Sequence, residues 1–133
     1  MAGIAMAEGK RNSGFLHDRV LRLLKAQHPH PLTGLQLAEL LQAEGDVVPV
    51  SQVYRALRRL IDEGAIRKIL VAGGYAPVWR ESVVLLWCRV CGEVREVPCP
   101  EVFQRLEAIA GGLKAPHCLI EVPGVCAACA EVP

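Results

Sequence analysis

Two Cys-x-x-Cys turns, Cys88/Cys91 and Cys126/Cys129, stand 34 residues apart, and they constrain this chain more than any other feature. Zinc favours tetrahedral thiolate coordination. A reversing Cys-x-x-Cys turn aims two sulfurs along one tetrahedral edge, so two such turns fill the shell. Gly92, directly after Cys91, suits the tight turn of a zinc knuckle. The intervening residues suffice for a strand, a helix and a strand, so a fold must bring the half-sites together. A closed four-thiolate shell leaves no position for water or substrate, which makes the expected Zn(2+), one per chain, structural. The competing reading is a thiol redox protein using the same pairs. It is disfavoured because the pairs fall at the ends of expected strands, not ahead of a helix in a strand-helix-strand unit.

The metal is also needed. The chain has 133 residues, enough for one ordinary domain or two small ones. The texture changes near residue 80, giving two expected domains, 1–80 and 81–133. A unit of about fifty residues rarely buries enough apolar surface to fold alone. Charge divides at the same place. Residues 1–80 carry eleven Lys and Arg against seven Asp and Glu, whereas residues 81–133 carry four against seven. A basic front half and an acidic back half point to different partners, one of them polyanionic. No run of eighteen apolar residues and no apolar leader is present, so neither a membrane span nor a signal peptide is expected and the reading is cytoplasmic. Six cysteines in that compartment point to metal or redox chemistry before disulfides.

The front half reads as three helices and a hairpin. Leu16, Val20, Leu21, Leu23 and Leu24 mark the first helix, which Pro29 and Pro31 end. Thr33 and Gln36 have the form of a capping box, followed by Leu37, Leu40 and Leu41 inward and Gly45 as the stop. Ser51 is the expected N-cap of a third helix with Val53, Leu57, Leu60 and Ile61 inward and Gly64 at its end. Its outer face carries Ser51, Gln52, Tyr54, Arg55, Arg58 and Arg59, short polar residues and cations suited to phosphates and base edges. A strand over 65–72, a Gly73-Gly74 two-residue turn and a return strand over 75–79 complete the order of a winged helix-turn-helix.

In the back half, strands are expected over 83–87 and 93–97. A helix then starts at Pro100 with the stripe Val102, Phe103, Leu106 and Ile109, and a further strand runs over 117–122. The fold class is therefore α+β, an N-terminal winged helix-turn-helix domain followed by a small α/β domain with a four-cysteine zinc site.

From about residue 15 to 132 the chain resembles the ferric uptake regulator superfamily of bacterial metal-responsive repressors. The resemblance runs through Val53-Tyr54-Arg55-Ala56-Leu57, Gly64, Cys88-x-x-Cys91-Gly92 and Gly124-x-Cys126-x-x-Cys129. The stretch Gly124 to Val132 is most similar to the zinc uptake regulators. The resemblance implies a metal-related transcriptional regulator, a repressor, that is no enzyme and takes no small-molecule substrate. It implies a homodimer on double-stranded operator DNA, with the back half as dimerisation domain. Tyr54 and Arg55 match the family's recognition-helix pair. The usual histidine-rich stretch before the first Cys-x-x-Cys is absent here, and Arg67 stands where zinc-sensing members place a histidine. The candidate second, regulatory metal site is accordingly Glu81, Glu96, Cys99 and His117, with His28 or His30 as a further stand-in. The alternative function is a regulator-like DNA- or protein-binding module without a metal switch.

Overall fold

The computed structural model describes residues 16–80, 82–111 and 119–131. The front half is built as the sequence patterns require. Helix α1 covers 16–26, α2 Gly34–Ala43 and α3 Val50–Asp62, followed by strands β1 (Ile66–Ile69) and β2 (Gly74–Pro77). Leu16, Val20 and Leu24 of α1 meet Leu37 and Leu41 of α2. Val53, Ala56, Leu57 and Leu60 of α3 close the same core beneath Ile66 and Tyr75. Burying these side chains, at about 1.5–3 kcal/mol each for the larger ones, fixes α3 with its opposite face outward.

Local chemistry sets the boundaries. Thr33 forms the expected capping box: Gln36 N–H donates to Thr33 Oγ1 at 3.1 Å and Thr33 N–H donates to Gln36 Oε1 at 2.8 Å. Gly45 and Gly64 both have positive φ just past the ends of α2 and α3. The start of α3 departs from expectation. Gln52 and Val53 N–H groups donate to the Pro49 carbonyl, so the helix opens at Val50 and Ser51 lies inside the first turn instead of capping it. Ile61 is partly exposed at the rim of the core.

The hairpin also differs from a two-residue turn. β1 and β2 pair antiparallel with Ile66 opposite Pro77 and Ile69 opposite Gly74, which leaves 70–73 as the turn. Gly74 serves close approach: a Cβ there would sit 3.0 Å from the Leu32 backbone, which bridges to Tyr75.

The back half is a three-stranded sheet in the order β4-β3-β5, with β3 Val83–Cys88, β4 Val94–Pro98 and β5 Leu119–Gly124. β3 pairs antiparallel with β4 and parallel with β5, and α4 (Pro100–Ile109) lies in the crossover. Of the α4 stripe only Phe103 is buried, while Leu106 and Ile109 are exposed. A second core crosses the boundary expected at residue 80. Ile69 and Ala76 of the hairpin pack with Leu85 and Val94 of the sheet, flanked by Val71, Ala72 and Trp87.

Candidate metal centre and nucleic-acid interface

The parallel pairing of β3 with β5 assembles the cysteines. Cys88, the last residue of β3, is in register with Gly124, the last residue of β5, and Arg89 N–H donates to the Gly124 carbonyl at 2.8 Å. Cys91 follows in the turn closed by Gly92, which has φ +79° as a knuckle turn requires. Cys126 lies two residues past β5 and precedes a one-turn helix, α5 (Ala127–Ala130), that carries Cys129. The second pair therefore sits at a helical turn, unlike the first, where a strand end was expected for both.

The four sulfurs of Cys88, Cys91, Cys126 and Cys129 lie within 4.8 Å of one another, and Cys91 Sγ to Cys126 Sγ is 3.9 Å. A tetrahedral zinc with bonds of about 2.3 Å needs neighbouring sulfurs about 3.8 Å apart, so the quartet fits the ion. Backbone dipoles prepare it. Cys126 N–H donates to Cys88 Sγ at 3.3 Å, and this and other backbone donors bring the Cys88 thiol down to about 6. Contact with the Cys126 sulfur and then burial push Cys129 up to about 12, and Cys91 is also raised. One thiolate thus forms readily in the metal-free quartet, and a divalent cation is what lets the others lose their protons.

The second candidate set is only partly within the described residues. Glu81 and His117 lie outside the described residues. Glu96 points to Arg67, with an N···O separation of 3.9 Å, and Cys99 Sγ donates to Glu101 at 3.4 Å. His28 stacks edge-on against Trp79, and His30 lies beside Gly92. Among the described residues, the four cysteines are the one group of three or more Cys, His, Asp or Glu side chains close enough to hold an ion.

Helix α3 presents Ser51, Gln52, Tyr54, Arg55, Arg58 and Arg59 outward, all exposed. Arg55 makes no ion pair among the described residues. Arg58 reaches only loosely to Asp62, at 3.9 Å. Arg59 is different: its Nε donates to Glu63 at 3.3 Å, and Glu63 also bonds His17 Nε2 at 2.6 Å, an interaction that holds its carboxyl below the usual range. Arg59 is thereby drawn toward α1, away from the centre of the face. The Tyr54 ring lies over Gly34, where a Cβ would come within 2.6 Å of it. Nothing within the sequence of α3 signals this packing.

Comparison with known proteins agrees with this geometry. The profile of the Ferric uptake regulator family matches residues 17–122. The zinc uptake regulation protein of Escherichia coli (strain K12) is 32% identical over 123 residues, covering 85% of this chain and 70% of that protein. A solved zinc uptake regulator complexed with zinc and DNA superposes with a TM-score of 0.78 at 27% identity, covering 98% of this chain and 93% of the other. The crystal structure of holo XcZur gives 0.72 at 29%, with coverage of 88% and 85%. A winged helix with an outward basic third helix, joined to a sheet that gathers four cysteine sulfurs, is thus combined over most of this chain with the matching sequence profile, and the chain belongs to the ferric uptake regulator family.

Proposed function

We infer that this chain is a transcriptional regulator, a repressor, that binds double-stranded operator DNA as a homodimer and carries one structural zinc per chain. Residues 1–80 form the DNA-binding part, and residues 81–133 hold the zinc and the dimer interface. The observation that carries this reading is α3, whose apolar side is fixed by Val53, Ala56, Leu57 and Leu60 while Arg55 stands on the outer face with no partner among the described residues. Ser51 and Gln52 in the first turn face the phosphates, and Tyr54, Arg55 and Arg58 reach toward base edges and backbone.

Zinc held by Cys88, Cys91, Cys126 and Cys129 supplies a cross-link between the ends of β3 and β5 and no catalysis, because its shell is closed. β5 is an edge strand of the sheet, and Leu86, Val122 and Val125 beside it, with Leu106 and Ile109 on α4, expose apolar surface. Pairing of this face with a second copy gives the two-fold arrangement that two DNA half-sites require. No described helix is long and apolar enough to cross a membrane, and a regulator of DNA acts in the cytoplasm.

The test is binding of the zinc-loaded chain to fluorescent duplexes selected from a random pool, read by anisotropy. Arg55→Ala is expected to weaken the selected duplex by about 1–3 kcal/mol, whereas Arg22→Ala on α1 should change it far less. Equal losses at both positions on every duplex would reduce the interaction to diffuse electrostatics.

A further inference from the structure

The seam between the β1–β2 hairpin and the sheet is closed by side chains of the chain itself. Both oxygens of the Glu121 carboxylate, on β5, accept backbone N–H groups of the hairpin turn, from Leu70 at 3.0 Å and Val71 at 2.9 Å. Arg67 on β1 faces Glu96 on β4, and its guanidinium also donates to the Arg80 carbonyl. Both side chains are largely buried, at 13% and 9% exposure. Val94 N–H donates to the Pro29 carbonyl at 2.7 Å, and the core of Ile69, Ala76, Leu85 and Val94 lies behind these contacts. Apart from the Arg67 to Arg80 bond, each of them joins the DNA-binding part to the sheet.

We propose that Arg67 is a tethered cation that neutralises Glu96 and, with the grip of Glu121 on the hairpin turn, holds the winged helix against the sheet, so that DNA binding does not require a second metal ion at this seam. The proposal rests on the regulator reading above. Glu96 was one of the residues expected to hold such an ion, and the structure gives it a different partner. Arg67 Nε and Glu96 Oε2 are both buried at this seam without a hydrogen bond. Closing the 3.9 Å gap between Arg67 Nη2 and Glu96 Oε2 by about 1 Å would give that oxygen a charge-assisted hydrogen bond from the guanidinium. A divalent ion on Glu96 would stand beside a buried guanidinium of like charge. A guanidinium stays charged at every physiological pH and cannot dissociate from the chain. It therefore holds one arrangement at all ion concentrations, whereas a bound ion shifts the arrangement only as its concentration changes.

The experiment uses the full chain holding one zinc in its four cysteines, with DNA affinity measured by anisotropy against buffered free zinc, manganese and iron(II). Wild-type affinity should change less than about threefold across each titration, and Arg67→Met and Glu96→Gln should each lose about tenfold or more. The double variant should lose clearly less than the product of the two, the signature of a direct pair. Arg67→Lys keeps the charge without the fork and should fall between wild type and Arg67→Met, with zinc content unchanged in all. A rise of more than about a hundredfold with any of the three ions overturns the proposal. So do single variants that bind DNA as wild type does, or a lysine variant no better than the methionine one. Wild-type protein that binds no duplex in any metal condition overturns the regulator reading itself, and the proposal with it.

Discussion

Leu85→Ala removes the side chain at the centre of the core that the hairpin and the sheet share. Leu85 is 1% exposed on the middle strand of the sheet and packs among Ile69, Ala76 and Val94. Its neighbours cannot collapse into the space, because Ala76 is already small and Ile69 and Val94 are fixed by their own strand pairings. The expected loss is therefore in the middle of the range for buried leucines, about 3–4 kcal/mol. For 133 residues, with an unfolding entropy of about 2.1 cal/mol/K each, that loss lowers Tm by roughly 11–14 °C. The assay that uses the structure most directly is native-state hydrogen exchange. Leu85 belongs to both halves, so amide protection should fall together in Ile66–Ile69, Gly74–Pro77 and Val83–Cys88. Leu57→Ala, in the helical core, serves as the comparison and should act first on α2 and α3. If Leu85→Ala lowered protection in the sheet and left the hairpin amides at wild-type values, the shared core would be refuted.

Three further outcomes follow from the site. Cys126→Ser should lower zinc affinity by more than about a hundredfold, since losing a ligand costs more than losing a supporting contact, and the back half should lose its protection; full zinc content with an unchanged melting curve would refute the quartet. Acid should strip the zinc: protons compete with the ion for the sulfurs of Cys91 and Cys129 already at neutral pH, because those thiols are raised, and for Cys88 only as pH falls through about 6, so zinc release followed with a colorimetric chelator should increase progressively as the pH is lowered. On α3, Arg59→Ala should weaken DNA binding less than Arg55→Ala and should also loosen α1, because Arg59 is engaged with Glu63 and through it with His17.

What the sequence made legible was short in range. The capping box of Thr33 and Gln36, the positive-φ glycines after α2 and α3, and the spacing of Leu57 and Leu60 are decided within one or two helical turns, and each was readable. The cysteine quartet was legible at long range only because zinc chemistry dictates four sulfurs whatever fold delivers them. The hairpin turn lies about two residues earlier than expected and is four residues long, because its Leu70 and Val71 N–H groups are satisfied by Glu121, about fifty positions away, and no local pattern carries that partner. Gly73-Gly74 looked like the turn itself. Gly74 in fact makes room for the Leu32 backbone, and close approach leaves the same residue in the sequence as a turn does. The α4 stripe was read correctly as apolar, but periodicity does not say whether a face is covered within one chain or by another, and Leu106 and Ile109 are uncovered here.

The parallel register that sets Cys88 opposite Gly124 also fixes an order of events during synthesis. The first pair of thiols leaves the ribosome 38 residues ahead of the second, so an emerging chain holds half a shell that can only close once the α4 crossover has been threaded and β5 laid beside β3. Closing a loop of that length costs entropy that grows only slowly with its size, so the delay is set by translation and by strand pairing more than by the search of the ends. Until then the Cys88 and Cys91 sulfurs are the exposed half of a clasp, open to the matching half of any neighbouring nascent chain. Closing of the four-sulfur shell therefore waits on the pairing of β5 with β3, and the metal content of freshly made protein reports how many molecules have closed the clasp.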